Sequence, residues 1–392
     1  MIKIYFTKVI NIYRFLIFKI IDFVISLQSH QTYNGTILII RLDSIGDYIL
    51  ARNFILYIKQ SKKYKNYKIT LCGNVVWKDL AETFDKSAVD NFIWLNRKKF
   101  NNNPFYKYKL LKNIYQSGFE VAVDTTFSRE ILFGDSIVKM SKAKERIGSA
   151  GAQDAYVKWK RNLLSDKYYT NLIVQSAENT FEFYRNKEFF EKILQENINI
   201  IKPEIDTSTV SLQLPTQKDF AVIFPGAQEE KRRWSSSNFE IIIEHLIAKY
   251  NFDVIIAGSS ADSLISRKMI KCRTSKVCLD MTGKTNLAQL AKLISLSKIL
   301  ISNETSAVHF AAAVGTPFVC ISNGQRFGRF MPYPKETKVN GKYIYPMEIE
   351  NNLNDLDYLT KKFRFDSNLD IKTIKVEKVL MALDEIIKIK PV

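Results

Sequence analysis

From residue 36 onward, short runs of β-branched and aromatic side chains alternate with stretches in which apolar residues recur every three to four positions. The first pattern marks buried strands and the second amphipathic helices. Strands are expected at residues 36–41, 68–72, 92–95 and 120–124, with helices between them. A second series begins at 220–224 and continues at 253–257, 276–279, 298–302 and 318–322, separated by helical stretches at 236–249, 261–270, 286–295 and 306–314. Between the two series, residues 202–217 carry Pro203 and Pro215 and no periodicity, the mark of a linker. The expected class is therefore α/β, with two Rossmann-like, doubly wound domains over residues 31–212 and 213–392 facing one another across a cleft. Ligands of such sheets bind at the carboxyl ends of the strands.

Residues 1–27 follow a different pattern. Lys3, Lys8, Arg14, Lys19 and Asp22 interrupt the segment too often for a membrane-spanning helix. On a helix, Lys3, Thr7, Asn11, Arg14, Asp22 and Ser26 form a narrow polar stripe beside a wide face of Ile, Phe, Leu and Val. Segment 1–30 thus reads as a basic, amphipathic, membrane-associating helix, or as a helix docked on its own domain or a partner. No small-residue cleavage site follows it, so a signal peptide is not expected.

Composition narrows the partners. A chain of 392 residues with 46% hydrophobic content holds enough apolar material for two cores. The formal net charge of +18 calls for an anionic partner, whether nucleic acid, an acidic membrane surface or a phosphorylated substrate. The lysines are scattered among Ile, Asn, Phe and Tyr without a dense basic run, so nucleic acid is not the expected partner. Cys72, Cys272, Cys278 and Cys320 contain no Cys-x-x-Cys, and His30, His245 and His309 are far apart. Reduced structural thiols and no metal are expected.

Three strand ends carry candidate chemistry. In 298–317, an apolar strand hands over through Glu304, Thr305 and Ser306 to an Ala-rich helix stopped by Gly315. The unpaired N–H groups and positive dipole end of such a helix favour an anion, so a phosphate site is one reading and an ordinary capped βα turn the other. After strand 36–41 comes Arg41-Leu42-Asp43-Ser44-Ile45-Gly46-Asp47, where Asp43 or Asp47 serves as a general base or as a helix cap. After strand 220–224 comes Pro225-Gly226-Ala227-Gln228-Glu229-Glu230-Lys231-Arg232-Arg233-Trp234, whose cations suit a diphosphate or a solvated loop. No Gly-x-Gly-x-x-Gly occurs, which argues against a dinucleotide oxidoreductase.

In their order along residues 36–325, four segments together resemble glycosyltransferase family 9, the heptosyltransferase family of lipopolysaccharide assembly. They are 37–47, Pro225-Gly226-Ala227 with Lys231-Arg232-Arg233-Trp234, Thr282-Gly283-Lys284-Thr285-Asn286-Leu287, and Ser302-Asn303-Glu304-Thr305-Ser306-Ala307-Val308-His309 with Gly315-Thr316-Pro317. The resemblance implies a GT-B fold, with the acceptor on the N-terminal domain and a nucleotide diphosphate sugar on the C-terminal one. It implies an inverting, metal-independent transfer with no cofactor. It also implies a heptose-like donor, ADP-heptose first, and an anionic glycolipid acceptor. The work place it implies is cytoplasmic, on the inner face of the bacterial plasma membrane.

By position, Asp47 matches the family's catalytic base and Arg232 the basic residue at the donor diphosphate, with Lys231 beside it. Glu304, Thr305, Ser306, Ala307 and His309 match the donor-binding turn, and Asp262 and Thr285 fall near the nucleoside. Ser44, Gly46 and Arg129 are placed on the acceptor side. The family usually has Asp where Glu304 stands and Gly where Ser306 stands, and the loop 323–334, with Arg326 and Arg329, ends differently. Another GT-B transferase of capsule, O-antigen or glycoprotein glycans is the alternative within this class, and a nucleotide or nucleic-acid binding protein the alternative outside it. Asp355-Leu356-Asp357 lies in a polar stretch and reads as solvated surface.

Overall fold

The computed structural model describes residues 2–152, 155–176, 181–271 and 278–388. Its twelve described strands form two parallel sheets. The first contains β1 (Tyr33–Arg41), β2 (Lys68–Asn74), β3 (Asn91–Leu95), β4 (Phe119–Asp124), β5 (Glu145–Ser149) and β6 (Asn171–Ile173), in the order β3-β2-β1-β4-β5-β6. The second contains β7 (Phe220–Phe224), β8 (Asp253–Ile256), β9 (Cys278–Asp280), β10 (Ile299–Asn303), β11 (Phe318–Ile321) and β12 (Gly341–Ile344), in the order β12-β11-β10-β7-β8-β9.

Counted from its own first strand, each sheet has the Rossmann order 3-2-1-4-5-6. The direction of winding therefore reverses between β1 and β4 in one sheet and between β7 and β10 in the other. Crevices open at the carboxyl ends of such strand pairs. Residues 37–41 and all of β10 are buried, as continuous apolar strands covered by helices on both faces must be.

The chain divides into two compact units, one of Met1–Glu178 with Arg185–Ile198, the other of Asn179–Tyr184 with Asn199–Val392. Residues 199–219 carry no helix or strand. Three strands, β5, β6 and β12, lie beyond those the apolar pattern marks. β5 carries Glu145 and Arg146, β6 has only three residues, and β12 is an edge strand beginning Gly-Lys. The strand expected at 276–279 is β9, whose first two expected positions lie outside the described residues. Cys72 and Cys320 are buried free thiols, Cys278 is buried, and Cys272 lies outside the described residues.

The helix Ile2–Ser26 packs on its own unit. Phe18, Ile21 and Ile25 join the core formed with Leu111 and Ile114 of helix Pro104–Ser117 and Ile137 and Val138 of helix Gly134–Ser141. Asp22 pairs with Lys139, so part of the polar stripe expected to meet solvent turns toward the protein.

Candidate active site

In the second unit, β10 delivers Glu304 and Thr305 to the start of helix Ser306–Val314. Thr305 is its N-cap, its hydroxyl accepting a hydrogen bond from Ala307 N at 3.2 Å, and Gly315 closes the helix with φ 81°. The Glu304 carboxylate accepts from Ser322 Oγ and lies 3.4 Å from the Arg232 guanidinium, which also donates to the Glu304 carbonyl at 2.6 Å. Burial pushes the Glu304 carboxyl above its usual range, against the pull of Arg232 and Ser322. Arg232 Nε is buried with no hydrogen-bond partner among the described residues. The loop after β7 and the turn after β10 thus meet, bringing together Arg232, Glu304, Thr305, Ser306 and Ala307.

Asn303 makes this meeting rigid, and sequence reasoning gave it no role of its own. Its Nδ2 donates to Pro225 O at 2.6 Å and its Oδ1 accepts from Trp234 N at 3.1 Å, so one buried side chain holds both ends of the 225–234 loop against β10. The signal available in sequence was a polar residue ending an apolar strand. Trp234 is buried and donates from Nε1 to Ile374 O at 3.0 Å, anchoring the loop to the unit's core.

The other expected donor residues divide. Lys231 is exposed and pairs with Asp366 and Glu229, outward from the turn. Asp262 is buried, caps its own turn by accepting from Ser259 N at 2.8 Å and Ser259 Oγ at 2.7 Å, and lies against Gly226, where an added Cβ would meet Asp262 Oδ1 at 2.3 Å. Thr285 sits half-buried in the turn after β9, which packs on 258–260 through a hydrogen bond from Gly283 N to Gly258 O of 2.9 Å. Arg329 pairs with buried Glu182 at 2.9 Å, a structural role, whereas Arg326 stays exposed and its charge acts on Glu304. Asp355 caps helix Leu356–Lys362, accepting from Tyr358 N at 3.0 Å.

His309 is buried, its Nδ1 within hydrogen-bond distance of Tyr333 Oη at 2.8 Å. Burial, and secondarily the Arg232 charge, pushes its imidazole down to about 3, so the ring is neutral at physiological pH. The unfolded chain binds a proton at this residue near pH 6.5 and the folded one does not, so stability present at neutral pH is lost as pH falls through that window. Between pH 7 and pH 5 the loss is expected to be roughly 2 kcal/mol. Urea unfolding at the two pH values checks this, with His309→Gln flattening the difference; an unchanged pH response in that variant contradicts it.

In the first unit, β1 ends in a buried arginine that holds the following loop. Arg41 donates from Nε to Asp43 Oδ1 at 3.0 Å and from its terminal nitrogens to Thr125 O at 3.0 Å, Asn186 Oδ1 at 2.9 Å and Asp47 O at 3.3 Å. Trp77 Nε1 and Asn74 Nδ2 both donate to the Asp43 carbonyl, at 3.2 and 3.1 Å. Asp43 is therefore a framework residue. Asp47, half-buried in helix Ile45–Ile49, has its carboxylate hydrogen-bonded to Ser44 Oγ. Ser44 occupies the N-cap position of that helix, and Asp47 is not its cap.

Arg129 departs from expectation. Its side chain is 0% exposed, ion-paired with Asp135 at 3.4 Å and with Asp166, and stacked 4.4 Å from the Tyr169 ring centroid. These three partners hold it inside the first unit. Arg97, which the pattern did not single out, occupies the strand ends instead. It donates to Leu42 O at 3.1 Å, pairs with Glu130 at 2.6 Å and lines a small pocket with Asp43, Asp124, Thr126 and Glu130. Burial and neighbouring Asp135 push the Asp124 carboxyl up to about 7.

Residues 108–356 match the family described as Glycosyltransferase family 9 (heptosyltransferase). The chain belongs to glycosyltransferase family 9. Curated relatives in that family include lipooligosaccharide heptosyltransferase 2 of Haemophilus ducreyi, 29% identical over 97 residues, covering 24% of this chain and 28% of the relative. Lipopolysaccharide heptosyltransferase 2 of Salmonella typhimurium is 22% identical over 139 residues, covering 34% of this chain and 40% of the relative. The chain thus spans well under half the length of these curated relatives.

The glycosyltransferase family 9 structure from Veillonella parvula superposes with a TM-score of 0.69 at 14% identity, covering 92% of this chain and 99% of that one. The Escherichia coli heptosyltransferase WaaC, solved with ADP, gives 0.67 at 13% identity over 90% of this chain and 99% of that one. Likeness at this identity establishes a fold: two Rossmann-like units of the GT-B class.

Proposed function

We propose that this family 9 chain is an inverting glycosyltransferase that moves a heptose-like sugar from a nucleotide diphosphate sugar to the core of lipopolysaccharide or a related surface glycan. The observation that carries this reading is the junction of Arg232 with Glu304 and the amino end of helix Ser306–Val314, a cation beside a helix N-terminus at the switch point of one sheet. A nucleoside diphosphate is the anion that suits such a site, and the WaaC structure solved with ADP supports an adenosine donor.

The chemistry follows from the residues. Asp47 of the first unit takes the proton of an acceptor hydroxyl as that oxygen bonds to the anomeric carbon. The bond from that carbon to the diphosphate breaks, and the departing nucleoside diphosphate carries away the electron pair. Arg232 and the N–H of Ser306 at the positive end of the helix dipole stabilise its growing negative charge, the type of stabilisation that lowers such barriers most. One displacement inverts the anomeric centre and needs no metal for the leaving group in this scheme. Arg97 and the pocket beside Asp124 take the place of Arg129 in our reading of the acceptor end. Glu304 and Ser306, where the family usually has Asp and Gly, set the donor sugar. The acceptor, an anionic glycolipid, brings the protein to the cytoplasmic face of the membrane.

Release of nucleoside diphosphate from ADP-heptose that depends on a heptose-deficient lipopolysaccharide acceptor, with the product's anomeric configuration read by NMR, tests the reaction. Acceptor-dependent release with inversion is expected. Release with retained configuration contradicts the single displacement.

A further inference from the structure

Two polar side chains of helix Ile2–Ser26, Arg14 and Asp22, are tied to the rest of the first unit. Arg14 donates to Asn102 Oδ1 at 2.8 Å and Asp22 pairs with Lys139, while Phe18, Ile21 and Ile25 are buried in the core. Much of what remains outside over residues 12–27 is apolar. Ile12, Leu16, Ile20, Phe23 and Leu27 recur every three or four residues along one line and are 61, 55, 62, 65 and 72% exposed. A helix resting in water shows the opposite arrangement, and a continuous apolar ridge on a protein surface marks an interaction site.

Beside the ridge lies a pocket of about 240 Å³ between this helix and helices Arg97–Asn102 and Pro104–Ser117. Tyr13, Ile17, Phe100 and Pro104 give it apolar walls, and Arg14 and Lys107 give it two cations. Lys107 is 3% exposed, and its ammonium lies 4.6 Å from the Phe100 ring centroid with no hydrogen bond or ion pair among the described residues. Burial, with the Arg14 charge adding to it, pushes the Lys107 ammonium down to about 8. Two neighbouring cations in a largely apolar pocket whose described lining holds no carboxylate suit an anion.

We propose that this pocket takes the phosphate headgroup of an anionic membrane phospholipid while the ridge of Ile12, Leu16, Ile20, Phe23 and Leu27 beds among the acyl chains. A free anion would satisfy Arg14 and Lys107 but leave the ridge in water. A lipid meets both, with its phosphate on the cations and its chains on the apolar line. On the same helix Lys19 feels the charges of Lys139 and Lys167 against that of Asp22, and Phe105, next to Pro104, is 74% exposed. Among the described residues no helix is long and apolar enough to cross a membrane. Phe100 also sits 5.6 Å from Phe133, which lines the small pocket at the ends of β1 and β4, so the lipid site adjoins the end of the sheet assigned to the acceptor. The inference deepens the proposed function by naming the surface that meets the membrane. Its test measures no sugar transfer, so the two can fail separately.

The test is flotation of the full-length chain with vesicles of phosphatidylcholine alone or mixed with phosphatidylglycerol. Wild-type protein is expected to bind the mixed vesicles at least about ten-fold more tightly than the neutral ones, each basic residue near the surface contributing about five-fold. Arg14→Gln with Lys107→Met is expected to bring that preference close to parity, with circular dichroism and melting temperature as in wild type. Leu16→Ser, Ile20→Ser and Phe23→Ser together are expected to lower binding to both vesicles by more than about ten-fold. Failure of wild type to float, or an unchanged charge preference in the Arg14/Lys107 variant, overturns the proposal. So does a ridge-dependent dimer in light scattering without vesicle binding. Stabilisation by inorganic phosphate that needs Lys107, again without vesicle binding, would make this a soluble-anion site and overturn it equally.

Discussion

Replacing Asp47 with Asn is expected to lower turnover by ~10²–10⁴-fold while donor affinity stays within about two-fold, the signature of a lost general base. The substitution keeps the shape of the side chain and an acceptor oxygen for Ser44 Oγ, the partner the carboxylate has in the structure. The backbone around it is held by Arg41, Trp77 and Asn74 acting on neighbouring atoms, so the loop should survive the change. Asp43→Asn provides the contrast. That carboxylate pairs with buried Arg41 at 2.8 Å, so its loss should appear mainly as lower stability, read by thermal unfolding. Wild-type turnover in Asp47→Asn with a matched donor and acceptor would remove the base assignment.

Replacing Arg232 with Ala is expected to weaken nucleoside diphosphate binding by roughly 10–100-fold, the range for losing one charge-assisted contact. Calorimetric titration of ADP and its competitors reads the affinity directly. The same change leaves the buried Glu304 carboxylate without its cation and the Glu304 carbonyl without its 2.6 Å donor, so a loss of stability should accompany it. Arg232→Lys separates the two effects: it keeps a charge near Glu304 but loses the planar fork, and should recover stability more fully than affinity. An affinity unchanged in both variants would take Arg232 out of the donor site.

The strands that carry the candidate site were legible because each is a short apolar run buried on both faces, and the turn residues stand directly after them. β5, β6 and β12 were not, because polar composition or brevity hides a strand whose pairing is supplied by its neighbours. Position also told where a residue would be, but not which way it would turn. Arg129 does follow β4, yet Asp135 and Asp166, from later elements, pull it inward. Arg41 looks like a ligand-binding cation at a strand end until Asn186, 145 positions later, is seen to hold it. Asp43 and Asp47 could not be told apart from spacing; the family resemblance favoured Asp47, and the structure adds that Asp43 is paired with buried Arg41. The amphipathic character of residues 1–27 was readable too. The inward turn of Arg14 and Asp22, and the exposure of the apolar ridge, depend on helices far along the chain.

In the proposed function, the junction of the loop after β7 with the turn after β10 binds a nucleoside diphosphate. Hydrogen–deuterium exchange of the full-length protein with and without ADP, GDP or UDP tests it most directly. Slowed exchange in peptides spanning 225–234 and 303–309 with at least one of these nucleotides is the predicted result. Exchange unaltered in both segments at saturating concentrations of all three would contradict it.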